Sequence, residues 1–284
     1  MKIVKIVLLA FLSVVLFVGS FAAWIYVDNT SVAVSTYGIY SEKVPKVFED
    51  YTIALITDFH NSKNYQKVIN QTKQMNPNII VIVGDLINMG SPDYSNAGKL
   101  LDGLVTIAPT YYTFGNHEMW SNRESIIRDF ATKKRVKVLN NEVYTIHYES
   151  DAINLIGFKD MVKDDWHVNQ ADLKKSLKTL YDKIPDKDLF NLLLFHRANY
   201  FDTISKYPFD LVLSGHLHNG QIDLPIIQKW LLKNYVNNDS YTKGLYRKND
   251  SQMIVSGGLE ENLRKPRINN TPEVVGVVLH TIEP

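Results

Sequence analysis

Five apolar, strand-like runs in this chain each stop at a side chain that binds protons or cations. Ile53-Ala54-Leu55-Ile56 leads into Thr57-Asp58-Phe59-His60-Asn61, and the run IIVIV after Asn78 leads into Gly84-Asp85. YYTF leads into Gly115-Asn116-His117-Glu118, LLLF into His196, and LVLS into Gly215-His216-Leu217-His218. Five of the eight histidines therefore follow apolar runs directly. Taken singly, each ending has an ordinary structural reading. Gly-Asp is a common turn, G-N-H-E can cap the next helix, and a histidine after an apolar strand is commonly a hydrogen-bonded core residue. Taken together, they concentrate carboxylates, imidazoles and a carboxamide at one sheet edge. Such a cluster is too costly to bury unless something cationic satisfies it.

The donor set narrows the cation. The chain has no cysteine, which excludes disulfides, thiolate ligands and a cysteine nucleophile. Imidazole, carboxylate and one neutral amide oxygen suit borderline divalent ions such as Mn, Fe or Zn. Asp58, His60, Asp85, Asn116, His196, His216 and His218 are too many ligands for one tetrahedral ion and suit two ions sharing a carboxylate. Two metals about 3.5–4 Å apart can clamp a phosphoryl oxygen and generate hydroxide near neutral pH. No protein nucleophile is then required, and the chain carries no Ser or Thr nucleophile motif. A formal net charge of +1 without a basic tract argues against a nucleic-acid partner.

The layout is that of one mixed α/β unit. Strand-like segments are expected at 31–40, 51–57, 78–83, 110–114, 143–148, 152–158, 189–195, 211–213, 221–224, 253–256 and 274–282. Helical spacing marks 65–75, 94–107, 123–134 and 169–181, the last capped by Asn169. Alternating β and α elements early, with β-rich hairpins later, predict a central layered sheet with helices outside. Ligands in such folds gather beyond the carboxyl ends of strands, where the polar endings fall.

Before this unit, Ile6 to Val27 carries no charge, long enough to cross a bilayer as a helix. Lys2 and Lys5 should stay cytoplasmic, which makes the rest of the chain extracytoplasmic. Residues 1–28 therefore read as a single-pass anchor in the cell membrane, with Trp24 and Tyr26 at its outer interface. Cleavage after Ala22 would instead make it a signal segment and release residues 29–284 as a secreted domain.

The order D-x-H, G-D, G-N-H-E, H, G-H-x-H resembles that of the calcineurin-like metallophosphoesterase superfamily. The stretches HLHNGQIDLP, KGLYRKNDSQMIVSGGL and RKPRINNTPEVVGVVLH look like the tail of its bacterial membrane-anchored or exported branch, which includes enzymes similar to UDP-2,3-diacylglucosamine pyrophosphatase. The resemblance implies a four-layer αββα sandwich, two mixed β-sheets flanked by helices. It implies Asp58, His60 and His218 on one ion, Asn116, His196 and His216 on the other, and Asp85 bridging. It makes His117 the catalytic histidine that assists the leaving oxygen. The implied reaction is hydrolysis of a phosphodiester or pyrophosphate by a metal-bridging hydroxide, on a small-molecule or lipid-linked substrate. Leu217 and Asn219 depart from the branch's usual loop, as does RANY after His196.

Weaker signals surround the site. Arg197 is the best candidate to meet an anionic substrate among Arg123, Arg197, Arg264, Lys265 and Arg267, and Asn61 either caps a helix or faces substrate. The segment Pro225–Tyr235 reads as a short amphipathic helix with Ile226, Ile227, Trp230 and Leu231 on its apolar face, suited to the core or to a membrane interface. His147, His167 and His280 read as structural or surface residues. The rival readings are a metal-binding but non-catalytic protein of the same fold, and a dinuclear hydrolase acting on amides.

Overall fold

The computed structural model describes residues 2–161, 168–224, 226–228 and 241–282. In chain order the strands are β1 (Ala33–Ser41), β2 (Tyr51–Ile56), β3 (Ile79–Val83), β4 (Thr110–Thr113), β5 (Lys137–Val138), β6 (Glu142–Tyr148), β7 (Asp151–Phe158), β8 (Phe190–Arg197), β9 (Leu211–Gly215), β10 (Gly244–Lys248), β11 (Ser251–Val255) and β12 (Glu273–Thr281). The α-helices are α1 (Lys2–Thr30), α2 (Tyr65–Gln74), α3 (Ser95–Leu104), α4 (Asn116–Trp120), α5 (Glu124–Lys133), α6 (Gln170–Asp182) and α7 (Phe201–Ile204).

The strands form two six-stranded sheets, ordered β1-β12-β2-β3-β4-β5 and β10-β11-β9-β8-β7-β6. Within the first, β2, β3, β4 and β5 run parallel and β12 opposes β2. Within the second, β7, β8, β9 and β11 run parallel, with antiparallel β6 and β10 on the edges. Parallel strands covered on both faces must be apolar nearly throughout, as the wholly buried IIVIV of β3 is.

Side-chain alternation divides these strands among three cores. Ile53, Leu55, Val81 and Val83 from the first sheet meet Leu155, Leu192, Leu194 and Leu213 from the second in the layer between them. Their neighbours Ala54, Ile56, Ile80 and Ile82 point the other way, onto Val68 of α2 and Leu100 and Leu101 of α3. On the far side Ile156, Leu193, Phe195 and Val212 pack with Leu173 and Leu177 of α6 and Phe201 of α7. The result is the expected αββα sandwich, two mixed sheets flanked by helices. Asn169 caps α6 as expected, its Oδ1 accepting from the amides of Ala171 at 2.9 Å and Asp172 at 3.3 Å.

Some local expectations shift. The G-N-H-E segment forms a helical turn of its own, α4, whose first-turn Glu118 reaches back to the amide of Gly115 at 2.8 Å. Residues 221–224 contribute one bridge, Ile222 to Ile268, instead of a strand. The edge strands β5 and β10 were not expected, being short or half exposed. Within the Pro225–Tyr235 segment, Pro225 and residues 229–235, including Trp230 and Leu231, lie outside the described residues, as does His167.

Helix α1 is apolar and long enough to span a membrane, and it stands clear of the sandwich for most of its length. Leu155, buried between the sheets, should carry full core weight. Leu155→Ala is expected to lower unfolding free energy by about 2–5 kcal/mol, read as a shifted denaturant midpoint with unchanged slope.

Candidate metal centre

Because β2, β3 and β4 of one sheet and β8 and β9 of the other end at the same edge, their terminal residues converge there. Asp58 and His60 leave β2, Asp85 leaves β3, Asn116 opens α4 after β4, His196 closes β8, and His216 and His218 follow β9. Donor atoms of Asp58, His60 and His218 lie within 4.8 Å of one another, as do those of Asp85, His196 and His216. His60, Asp85 and His117 form a third such group. The two aspartates link the groups. His196 Nε2 is 3.2 Å from Asp85 Oδ2 and 3.7 Å from Asp58 Oδ1, and His218 Nε2 is 3.1 Å from Asp58 Oδ1.

The backbone bends sharply to achieve this. Asp58, His60, Asp85, His216 and His218 all have φ between 47° and 78°, a left-handed region that side chains other than glycine rarely adopt. Glycines make room beside them. A Cβ on Gly84, itself at φ 78°, would lie 2.3 Å from His196 Nδ1, and one on Gly215 would lie 2.4 Å from Asp58 Oδ2.

Three of the imidazoles are oriented by a partner behind them. His196 Nδ1 is 2.9 Å from the Val83 carbonyl, His60 Nδ1 is 3.2 Å from Asn88 Oδ1, and His218 Nδ1 is 3.1 Å from Glu260 Oε2. Acceptors at Nδ1 fix the ring proton there and leave Nε2 facing the cluster with a lone pair that could bind a cation. His117 is the reverse case. Its Nδ1 takes a hydrogen bond from the Met89 amide at 3.3 Å, and an amide can only donate. The proton of neutral His117 therefore sits on Nε2, 3.9 Å from Asp85 Oδ2, where it is a donor and not a ligand.

Electrostatics and unsatisfied atoms fit a cation. Burial opposes charge on both aspartates, yet His218 and His196 beside Asp58, and His196 and His117 beside Asp85, hold their carboxyls well below the ordinary range. Burial also pushes the imidazoles down, but Asp85 and Asp58 outweigh it at His196, which is lifted to about 10. Asp58 and Glu260 do the same at His218, lifted to about 9. Burial wins at His60, lowered to about 4, and together with the Arg197 guanidinium it keeps His216 neutral. Asn116 Oδ1 and His60 Nε2 are buried without a hydrogen-bond partner. Oxygen and nitrogen donors left open in a dry pocket match the needs of divalent ions.

Polar residues that are not candidate ligands complete the site. Glu118, fully buried, accepts from the amides of Asp85 (2.8 Å), Ile87 (3.2 Å) and Gly115 (2.8 Å), tying the loops after β3 and β4 together. Burial and Asp85 raise its pKa. Glu118 stands in the quoted G-N-H-E. Asn88 and Glu260, which orient His60 and His218, carry no comparable sequence signal. Arg197 lies inside the cluster but is buried, with Nε on Asp160 Oδ2 at 2.5 Å and Nη1 3.2 Å from His216 Nε2. Asn61 turns to α3, its Oδ1 accepting from the Ala97 amide at 2.8 Å. Arg267 is buried on the Gly257 and Glu260 carbonyls, while Arg264 and Lys265 are exposed. His147 is exposed, and His280 pairs with Glu49 at the opposite end of the first sheet.

Ligation requires neutral Nε2 atoms at His196 and His218, whose raised values keep them protonated at neutral pH. Cation uptake should expel about two protons, so manganese affinity should rise steeply from pH 6 to pH 8 and weaken as pH falls. Isothermal titration in buffers of different ionisation enthalpy would count those protons, and a pH-independent affinity would contradict the assignment.

The family model for calcineurin-like phosphoesterases matches residues 51–220, the stretch that contains all of these strand ends. The chain is 24% identical to the metallophosphoesterase YkuE of Bacillus subtilis over 259 residues, 88% of this chain and 86% of that one. It is 24% identical to the phosphodiesterase YaeI of Escherichia coli over 204 residues, 71% of this chain and 70% of that one. It is 28% identical to the metallophosphoesterase Cj0846 of Campylobacter jejuni over 185 residues, 63% of this chain and only 47% of that relative's length. With the matched segment covering more than half of the 284 residues and enclosing the converging strand ends, the chain belongs to the calcineurin-like phosphoesterase family and is a metallophosphoesterase.

Proposed function

We propose that this protein is a membrane-anchored hydrolase that uses two divalent ions to cleave a phosphodiester or pyrophosphate bond. Residues 1–28 form the anchor and 29–284 the phosphoesterase domain, held outside the cytoplasm. The observation that carries the reading is Asp85, buried between two groups of donors and within 4 Å of the Nε2 atoms of His60, His117 and His196. Asp58, His60 and His218 would then hold one ion, Asn116, His196 and His216 the other, and Asp85 would serve both. Manganese, iron or zinc, when bound, polarises the phosphoryl oxygens and supplies hydroxide near neutral pH.

The chain's own contribution is positional and electrostatic. About a quarter of the His117 side chain is open to solvent, and its Nε2 proton faces the site. His117 hydrogen-bonds through that proton to the departing oxygen and stabilises the negative charge that develops there. Its amide, 2.9 Å from Asp85 Oδ1, fixes the ring relative to the bridging carboxylate. Arg197, behind His216, and Asn61, in the loop after β2 and bonded to the Ala97 amide in the first turn of α3, hold the groups around the site in place. A phosphate-containing small molecule or a lipid-linked phosphate fits this chemistry.

Hydrolysis of bis-p-nitrophenyl phosphate with added manganese tests the reading. Asp85→Ala should abolish activity together with stoichiometric metal binding. His117→Ala should keep the metal and lose about 10²–10⁴-fold in kcat, with the larger loss on substrates whose leaving alkoxide is poor. Absence of metal-dependent turnover, or equal turnover in all three proteins, would overturn it.

A further inference from the structure

Helix α1 is locked to the domain at one place. Asn29, 1% exposed, donates from Nδ2 to the Arg267 carbonyl at 2.9 Å and accepts the Arg267 amide on Oδ1 at 2.7 Å. Thr271 donates to the Asp28 carboxylate, and Lys67 Nζ reaches the Thr30 carbonyl at 2.5 Å. The Arg267 guanidinium is buried and donates to the carbonyls of Gly257 at 2.6 Å and Glu260 at 3.1 Å. The end of α1 and the loop 257–271 therefore move as one piece.

That lock sets the loop's height above a bilayer. Trp24 and Tyr26 are the aromatic pair expected at the outer interface. Asn29 is three residues beyond Tyr26, about 4.5 Å along the helix. The headgroup layer on each side of the hydrocarbon is about 5–7 Å deep, so Arg267 is carried into it. Around this point the domain exposes aliphatic side chains that a water-facing surface seldom groups. Leu263 is 50% exposed, and Leu224, Ile226 and Ile227 are 42%, 87% and 42% exposed. The two segments are joined, since Ile222 bridges Ile268 and Gln221 Nε2 donates to the Lys265 carbonyl at 3.1 Å. Arg264 and Lys265 are exposed beside Leu263, whereas Glu260 turns inward to His218.

We propose that this surface is a second membrane contact. Leu224, Ile226, Ile227 and Leu263 lie among the headgroups of an anionic leaflet, and Arg264 and Lys265 engage lipid phosphates. The contact rests on α1 being a retained anchor. It turns the cluster edge toward the bilayer, because Glu260, three residues before Leu263, is in contact with His218.

The absence of cysteine makes the test direct. The full chain would be reconstituted with a single environment-sensitive label at Leu263→Cys, at Ile126→Cys on α5, which is 57% exposed, or at Phe17→Cys within α1. In vesicles containing phosphatidylglycerol, the label at 263 should be blue-shifted and several-fold less accessible to an aqueous quencher than the label at 126. Phosphatidylcholine alone, or Arg264→Glu with Lys265→Glu, should remove much of that protection. Equal quenching at 263 and 126 with a shielded label at 17 would overturn the second contact and leave the anchor standing. A label at 17 that is itself freely quenched would overturn the anchor, and the contact with it.

Discussion

Asp58 and Asp85 have no access to water, and an ionised carboxylate in that setting costs several kcal/mol unless cationic partners surround it. The partners come from both sheets. Asp58 and Asp85 belong to the first, while His196 and His218, which face them at 3.1–3.7 Å, belong to the second. The apolar layer between the sheets therefore does more than stabilise the fold. Stacked sheets sit about 10 Å apart, and the leucines and isoleucines of that layer hold the spacing at which imidazoles of one sheet reach carboxylates of the other.

The loops carrying the candidate ligands are strained. Five of those residues occupy left-handed backbone, at a cost of order 1 kcal/mol or more each. Only a rigid frame keeps such conformations populated. Glu118 joins three backbone amides of two loops, Asn88 brackets His60 from both its ring and its carbonyl, and the glycines at strand ends admit the side chains opposite. Such a frame presents several donors at fixed separations, the condition under which two cations can share one carboxylate without rearrangement.

Much of this was legible in the sequence, for physical reasons that also define where legibility stopped. Buried parallel strands are unbroken apolar runs, so a polar residue at their end stands out, and Asp85 or His216 is conspicuous. The pairing of the strands into two sheets came from resemblance, because periodicity within a run does not reveal which sheet it joins. Edge strands such as β10 are half exposed and carry no apolar signature. Arg197 invited a substrate role by standing next to His196, but its buried partner Asp160 follows a different strand and is invisible from local sequence. Glu260 is read the same way: it meets His218 only because the loop before β12 folds over the strand ends.

The position of β12 has a consequence for how the chain can be made. The last strand of the sequence lies between β1 and β2, the first two of the sandwich, parallel to one and antiparallel to the other. During synthesis the two earliest strands must wait for the final one, and the loop that brings Glu260 to His218 and Arg267 to Asn29 arrives only just before it. A nascent chain therefore holds an open sheet until β12 has been made. Closure of that sheet, assembly of the cation-binding edge and docking of α1 then belong to one late event.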